Sequence, residues 1–153
     1  MVKIGEEKLP FTRIDHIGVT VKDIDKAVAH YQSLGMGPFE PLYTTLYDRQ
    51  LHGKSVDDVR VVIRVAKIGQ VEFELVQPVS GESVHREFLE KHGEGISHLG
   101  FFVDDLDKEV AKLVAKGFKV VTRGKFVGGG GLAYLDTDKA GGVFFELIQF
   151  PPS

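Results

Sequence analysis

Ile14–Gly35 reads IDHIGVTVKDIDKAVAHYQSLG, and Ile96–Gly117 reads ISHLGFFVDDLDKEVAKLVAKG. At an offset of 82 the two stretches match at His16/His98, Gly18/Gly100, Val21/Val103, Asp23/Asp105, Asp25/Asp107, Lys26/Lys108, Val28/Val110, Ala29/Ala111 and Gly35/Gly117. A second pair follows each copy. Val71–Gln77 is VEFELVQ and Val143–Gln149 is VFFELIQ, which sets Glu74 against Glu146. Two copies with so long a period do not make a solenoid. A fused pair of modules sharing one sheet is the better picture.

Local patterns give each module its elements. Phe11–Val21 alternates and is rich in β-branched residues, so it reads as a strand. Asp23 is placed to cap a helix. Ile24, Val28 and Tyr31 recur at i, i+4 and i+7, the stripe of an amphipathic helix, and Gly35 stands where a left-handed stop belongs. The second copy repeats the plan with Asp105, then Leu106, Val110 and Leu113, then Gly117. Further strands are expected at Phe39–Thr45, Val59–Lys67 and Val71–Gln77, and at Lys119–Gly124, Leu132–Asp136 and Val143–Phe150. Each module then runs βαβββ, an α+β fold. Glu82–His92 reads as a linking helix with Val84, Phe88 and Leu89 apolar and Gly93 ending it. The chain is expected to be one domain, made of module 11–80 and module 95–151 joined by the helix near 82–92.

Bulk properties narrow the function. The chain has 153 residues, of which 42% are hydrophobic and 27% charged, and a net charge of −3. That charge leaves no footprint for nucleic acid or an anionic membrane. No apolar run is long enough to span a bilayer. The first residues, MVKIGEEKLPF, carry acidic groups and no apolar centre, so no signal peptide is expected and a cytoplasmic location is the default. The absence of cysteine excludes disulfides and thiolate metal ligands.

Side chains on a strand alternate between faces. His16 shares a face with Gly18 and Thr20, and His98 with Gly100 and Phe102, away from the apolar residues that meet the helices. The glycine two residues beyond each histidine is expected to leave room for a ligand. Glu74 lies opposite Phe73 and Leu75, and Glu146 opposite Phe145 and Leu147. A carboxylate in so apolar a strand is costly unless paired or bound to metal. Taken singly, each histidine could bond a loop and each glutamate could pair with Lys or Arg. Four such residues, placed twice by the repeat, favour a divalent ion held by His16, Glu74, His98 and Glu146, a donor set that suits Zn, Ni, Co, Mn or Fe. His30, His52, His85 and His92 read as solvated surface. Arg60 and Arg64 share a face and could clamp an anionic substrate, although a solvent-facing edge is the favoured reading. Glu72 shares a face with Glu74 and could act as a base, with a surface role favoured. Gly128–Gly131 lacks the spacing of a phosphate-binding loop and reads as a hairpin turn or lid.

The segments DHIGVTVKDIDKAVAHY, GMGPFEP, VEFELVQP, GEGISHLGFFVDDLD and GGVFFELIQ resemble the vicinal oxygen chelate superfamily. It comprises glyoxalase I, methylmalonyl-CoA epimerase, extradiol dioxygenases and antibiotic-binding resistance proteins. The resemblance runs from about Phe11 to Phe150 and looks strongest to the methylmalonyl-CoA epimerases. It implies a curved mixed sheet facing one metal-containing cavity, with His16, Glu74, His98 and Glu146 as ligands of Co, Mn, Ni or Zn. It also implies a homodimer and an acyl-CoA as the small-molecule substrate. The implied reaction is removal of the proton α to the thioester, with Glu146 and Glu74 as the bases. One departure stands out: some epimerases carry a further carboxylate on the preceding strand, and residues 59–70 contain none. A glyoxalase I-type lactoylglutathione lyase is the alternative, against which HIGVTV lacks the Met-Leu-Arg run of many glyoxalases. A non-catalytic binding member is a third reading, disfavoured by the complete ligand set. An extradiol dioxygenase would use two His and one Glu in a larger chain.

Overall fold

A computed structural model describes residues 10–43 and 45–153. The stretch read for a signal peptide, Met1–Leu9, lies outside the described residues, as does Thr44 in the strand expected at Phe39–Thr45. The elements run β1 (His16–Thr20), α1 (Ile24–Ser33), β2 (Glu40–Pro41), β3 (Leu46–Leu51), β4 (Lys54–Ser55), β5 (Arg60–Ile68) and β6 (Val71–Ser80). They continue α2 (Val84–His92), β7 (Gly95–Phe102), α3 (Leu106–Ala115), β8 (Val120–Phe126), β9 (Gly131–Leu135), a 3-10 turn at Thr137–Lys139, and β10 (Phe144–Gln149). Among the described residues the strands form one curved mixed sheet in the order β2-β5-β6-β1-β7-β10-β9-β8-β3-β4. The class is α+β. No helix among the described residues is long and apolar enough to cross a membrane.

The duplication is visible in the pairing. β1 runs parallel to β6 as β7 runs parallel to β10, and β1 and β7 join the halves antiparallel. The helix signals behave as read. Asp23 accepts from the Lys26 amide and Asp105 from the Lys108 amide, both at 3.1 Å. The final glutamine of each VEFELVQ-type strand completes the cap. Gln77 accepts from the Ile24 amide and Gln149 from the Leu106 amide, both at 2.9 Å. This supplies partners for helix N-terminal donors that have none inside the helix. Gly35 and Gly117 take positive φ, 89° and 99°, just beyond the helix ends.

Each helix covers the outer face of its half. Val19, Val21, Ile24 and Leu75 form one apolar cluster, and Phe101, Leu106, Val110, Leu113, Ala133, Leu135 and Leu147 the other. Leu75, Leu135 and Leu147 are fully buried, and each such leucine contributes about 1.5–3 kcal/mol of transfer free energy. The opposite face of the same strands is thereby left for the polar residues.

Three expectations need correction. The first strand begins at His16, not Phe11. Phe11 instead crosses to the second half and packs its ring against Phe101 and Phe145, at centroid distances of 4.9 and 5.1 Å. Of the strand expected over Phe39–Thr45, the described residues form only Glu40–Pro41, paired with β5. The stretch beyond it, with His52 read as part of a polar loop, is a hairpin: His52 (φ 51°) and Gly53 (φ 78°) make its two-residue turn. Positive φ at both central positions is the twist-matched hairpin geometry. Each module is therefore not plain βαβββ. The hairpin β3–β4 leaves the first half and extends the second, with β3 pairing to β8. Its tip is fastened to α2 by His52 Nε2 and Glu87 Oε1 at 2.9 Å.

Candidate metal centre

β1 and β7 are neighbours in antiparallel register, with His16 opposite Gly100 and Gly18 opposite His98. Each imidazole lies over the glycine of the other half. A Cβ on Gly18 would overlap the His98 ring, and one on Gly100 the His16 ring. The glycines thus make room for the partner histidine rather than, as expected, for a ligand directly. The neighbouring strands deliver Glu74 from β6 and Glu146 from β10.

All four side chains are buried, at 2% exposure for His16, 6% for Glu74, 0% for His98 and 4% for Glu146. His16 Nε2 lies 3.0 Å from Glu146 Oε1 and 4.0 Å from Glu74 Oε2. His98 Nε2 lies 3.5 Å from an oxygen of each carboxylate. No Lys or Arg among the described residues pairs with either glutamate, so the reading in which each pairs with a Lys or Arg does not hold. His98 Nε2 is a buried polar atom with no hydrogen-bond partner. The donor atoms of His16, Glu74 and His98 lie within 4.8 Å of one another, close enough to hold a metal ion. Buried nitrogen and oxygen donors converging in this way, with one nitrogen unsatisfied, fit a divalent cation.

Charge follows the geometry. Burial pulls the His16 pKa down, but the hydrogen bond to Glu146 and the charges of Glu146, Glu74 and Glu72 more than reverse this, to about 9. His98 goes the other way, to about 4: burial dominates, the Glu146 charge opposes it, and the His16 charge adds to it. At neutral pH one imidazole is therefore charged and the other neutral. In the metal-free protein the His16 charge contributes stability that is complete below its ordinary pKa of 6.5 and is lost as pH rises through about 9. A metal ion must displace that proton. Metal affinity is expected to climb about tenfold per pH unit across the same window, with one proton released at neutral pH. Calorimetric titration in buffers of different ionisation enthalpy measures this; a pH-independent affinity would contradict it.

Several residues that sequence inspection did not single out complete the site. Ser97 Oγ lies 3.0 Å from His98 Nδ1, accepts from Thr20 Oγ1 at 2.8 Å and donates to the Gly18 carbonyl at 3.4 Å. With its only proton so placed, Ser97 Oγ accepts a hydrogen bond from Nδ1–H of His98, which leaves the Nε2 lone pair facing the carboxylates. Strand alternation would put Ser97 on the far face. A register shift between Gly18 and Val19, which pair with His98 and Ile96, makes Ser97 the extra residue of a bulge and turns it inward. Replacing Ser97 by alanine is expected to weaken metal binding by about 10- to 100-fold with the fold intact; an unchanged binding isotherm would contradict this. Tyr134 stands opposite Glu146 on β9. Burial, with the charges of Glu146 and Glu74, raises its pKa well above the phenol range, and it remains an O–H donor to Glu146. His85, expected on the surface, lines the cavity beside His98 and Tyr134, at ring distances of 5.7 and 5.6 Å. Burial and the neighbouring His98 hold its pKa at about 4. His30, His52 and His92 are exposed, as expected.

A cavity of about 520 Å³ opens over the centre. His16, Glu74 and Glu146 reach it, and Leu46, Val56, Val61 and Ile63 wall it. Val61 and Ile63 take the inner face of β5. Arg60 is exposed, Arg64 Nη1 returns to the Ile63 carbonyl at 3.0 Å, and neither lines the cavity. Glu72 does line the cavity, contrary to the surface role favoured for it. Gly128, Gly129 and Gly130 all take positive φ in the turn between β8 and β9, the hairpin reading of that run.

Comparison with known proteins agrees with this architecture. Mitochondrial methylmalonyl-CoA epimerase of Bos taurus is 30% identical over 141 residues, covering 90% of this chain and 74% of that protein. An uncharacterised Bacillus subtilis protein, YqjC, is 28% identical over 140 residues, 90% of this chain and 91% of its own. Among solved structures, methylmalonyl-CoA epimerase from Mycobacterium tuberculosis superposes with a TM-score of 0.68 at 25% identity, covering 97% and 95% of the two chains. A Streptomyces coelicolor methylmalonyl-CoA epimerase variant in complex with 2-nitronate-propionyl-CoA gives 0.65 at 27% identity, covering 90% and 96%. The model of the glyoxalase/bleomycin resistance protein/dioxygenase superfamily matches residues 15–135. With a paired sheet built by duplication and a buried His–Glu cluster at its centre, the chain belongs to that superfamily.

Proposed function

We propose that this protein is a metal-dependent epimerase that removes and returns the proton α to the thioester carbonyl of an acyl-CoA, with His16, Glu74, His98 and Glu146 as metal ligands. The observation that carries the reading is the convergence of two buried carboxylates with two imidazoles, one of them with an unsatisfied nitrogen, beneath an apolar cavity, with no Lys or Arg among the described residues paired to either carboxylate. Its relatives support it: the Streptomyces coelicolor neighbour is an epimerase seen with an acyl-CoA analogue.

A divalent ion bound there would supply Lewis acidity that stabilises negative charge on the carbonyl oxygen. The chain's own groups do the rest. Glu146 accepts the α-proton, and Tyr134 orients it by donating to the carboxylate. Glu74, in the matching place on the other half, enters the step protonated and gives its proton to the opposite face, so that the two carboxyl groups exchange protonation states in each inversion and the reverse reaction runs from the exchanged state. Epimerisation needs such a pair, because a single base returns the proton to the face it left. Leu46, Val56, Val61 and Ile63 keep water from the reacting carbon, which strengthens each charge interaction.

The test is solvent deuterium exchange into methylmalonyl-CoA with Co, Mn, Ni and Zn supplied in turn, alongside the hemithioacetal of methylglyoxal. Exchange with inversion of the thioester is expected. Turnover of the hemithioacetal alone would assign the lyase reaction instead, and failure to bind any of the metals would overturn both.

A further inference from the structure

α2 packs against β6, β1 and β7, three of the four strands that bear the His–Glu centre. Val84 and Phe88 are its buried residues, and Val84 joins Tyr134 in one apolar cluster. His85, one position along, turns its ring to the cavity instead. The ring meets Tyr134 nearly edge to face, at 5.6 Å and 85°, and lies 5.7 Å from the ring of His98. The charges of His98, Glu146, Glu74 and His16 all act on it. His85 therefore borders the space on which the four central side chains converge. Among the described residues it has no hydrogen-bond or ion-pair partner. Unlike His98 Nε2, neither of its ring nitrogens is sealed from the cavity. An imidazole with both nitrogens unspent is free to take the tautomer that presents an N–H to the cavity. A polar group beside Val84 and Leu132 on an apolar wall is costly to cover with a ligand unless that ligand bonds to it.

We propose that His85 is a further catalytic residue, whose ring N–H donates to the thioester carbonyl oxygen as the α-proton is removed. This rests on the acyl-CoA reading of the cavity. When Glu146 takes the α-proton, the C–H electron pair becomes the C=C bond of the enolate and the carbonyl π pair moves to oxygen. A fixed donor aimed at that oxygen stabilises the charge because it is in place before the charge forms. The oxygen has two lone pairs, so a bond from His85 leaves the other for the centre. Base and donor then stand together: Tyr134, which His85 touches, is also the side chain bonded to Glu146.

The test has a spectroscopic arm that needs no turnover. Propionyl-CoA labelled with carbon-13 at the carbonyl is bound to the zinc-loaded full chain, and its carbonyl stretch is read by isotope-edited infrared spectroscopy. Hydrogen bonding lowers that frequency. The bound band is expected below the free one in the wild type and nearer to it in His85→Phe, which keeps a ring against Tyr134 and His98 but has no donor. His85→Gln, with a side-chain N–H, is expected to recover part of the shift. Solvent deuterium exchange into methylmalonyl-CoA is expected to fall by about 100- to 1,000-fold in kcat for His85→Phe. Its kcat/KM is expected to fall equally, with the metal isotherm unchanged. His85→Ala carries the same expectations and serves where the larger ring does not fold in. A carbonyl band that both variants leave in place overturns the proposal, as does an undiminished exchange rate. Weakened metal binding with an unmoved band would reduce His85 to a support for the His98 ring, which also overturns it. In these cases a wild type that exchanges leaves the acyl-CoA reading standing and His85 alone falls. If the wild type binds metal but neither thioester, the acyl-CoA reading falls and this inference with it.

Discussion

Replacing Gly100 by alanine is expected to abolish metal binding, although Gly100 bears no donor atom. A methyl group there would occupy the space of the His16 imidazole. His16 cannot step aside freely, since it is 2% exposed and bonded to Glu146 at 3.0 Å. Either the ring swings out of the cluster or β1 and β7 part. Forced overpacking of this kind costs about 1–3 kcal/mol, and loss of one ligand is expected to lower metal affinity by more than about 100-fold. Gly18→Ala should act in the same way through His98. Gly95→Ala, on the same strand with nothing within 4 Å of its added Cβ, is the matched control. Metal titration with thermal unfolding of the metal-free variants checks this. Wild-type affinity in Gly100→Ala would mean that His16 is not a ligand.

The second large effect is expected at Glu146. Glu146→Gln keeps an oxygen toward His16 and an acceptor for Tyr134, but it can no longer take a proton. Deuterium exchange into methylmalonyl-CoA should fall by about 100- to 10,000-fold, the usual worth of a positioned general base. Metal binding should fall far less, because one oxygen donor remains. The loss of the Glu146 charge also removes the main cause of the raised His16 pKa, so the pH dependence of metal binding should shift to lower pH. Glu74→Gln is expected to differ in kind: exchange persists for the enantiomer whose proton faces Glu146, while inversion is lost. Nuclear magnetic resonance of each enantiomer follows both quantities. An undiminished exchange rate in Glu146→Gln would remove it from the reaction.

Much of the centre was legible because duplication repeats local rules. Asp23 and Asp105 cap, Gly35 and Gly117 stop, and period-two alternation separates His16 from Ile17 and Glu74 from Leu75. Such signals depend on neighbours in the chain, and each occurs twice. Residues that act through distant partners left no such trace. Tyr134 reads as an ordinary apolar-strand aromatic until β9 sets it opposite Glu146. His85 sits in a helix whose apolar residues, Val84 and Phe88, gave no reason to turn it inward. Ser97 is offset-matched to Asp15, which plays another part, accepting from the Phe102 amide at 2.8 Å.

The sequence by itself determined that the chain is two related α+β halves and that one histidine and one glutamate in each stand away from the apolar face. Tertiary structure alone decided that each histidine lies over the other half's glycine, that a bulge brings Ser97 to His98, and that the hairpin β3–β4 crosses to the far edge of the sheet. The physical reason is range. Caps and alternation are set within a few residues, whereas strand register and bulges follow from which backbones pair across the two halves, and no local pattern encodes that.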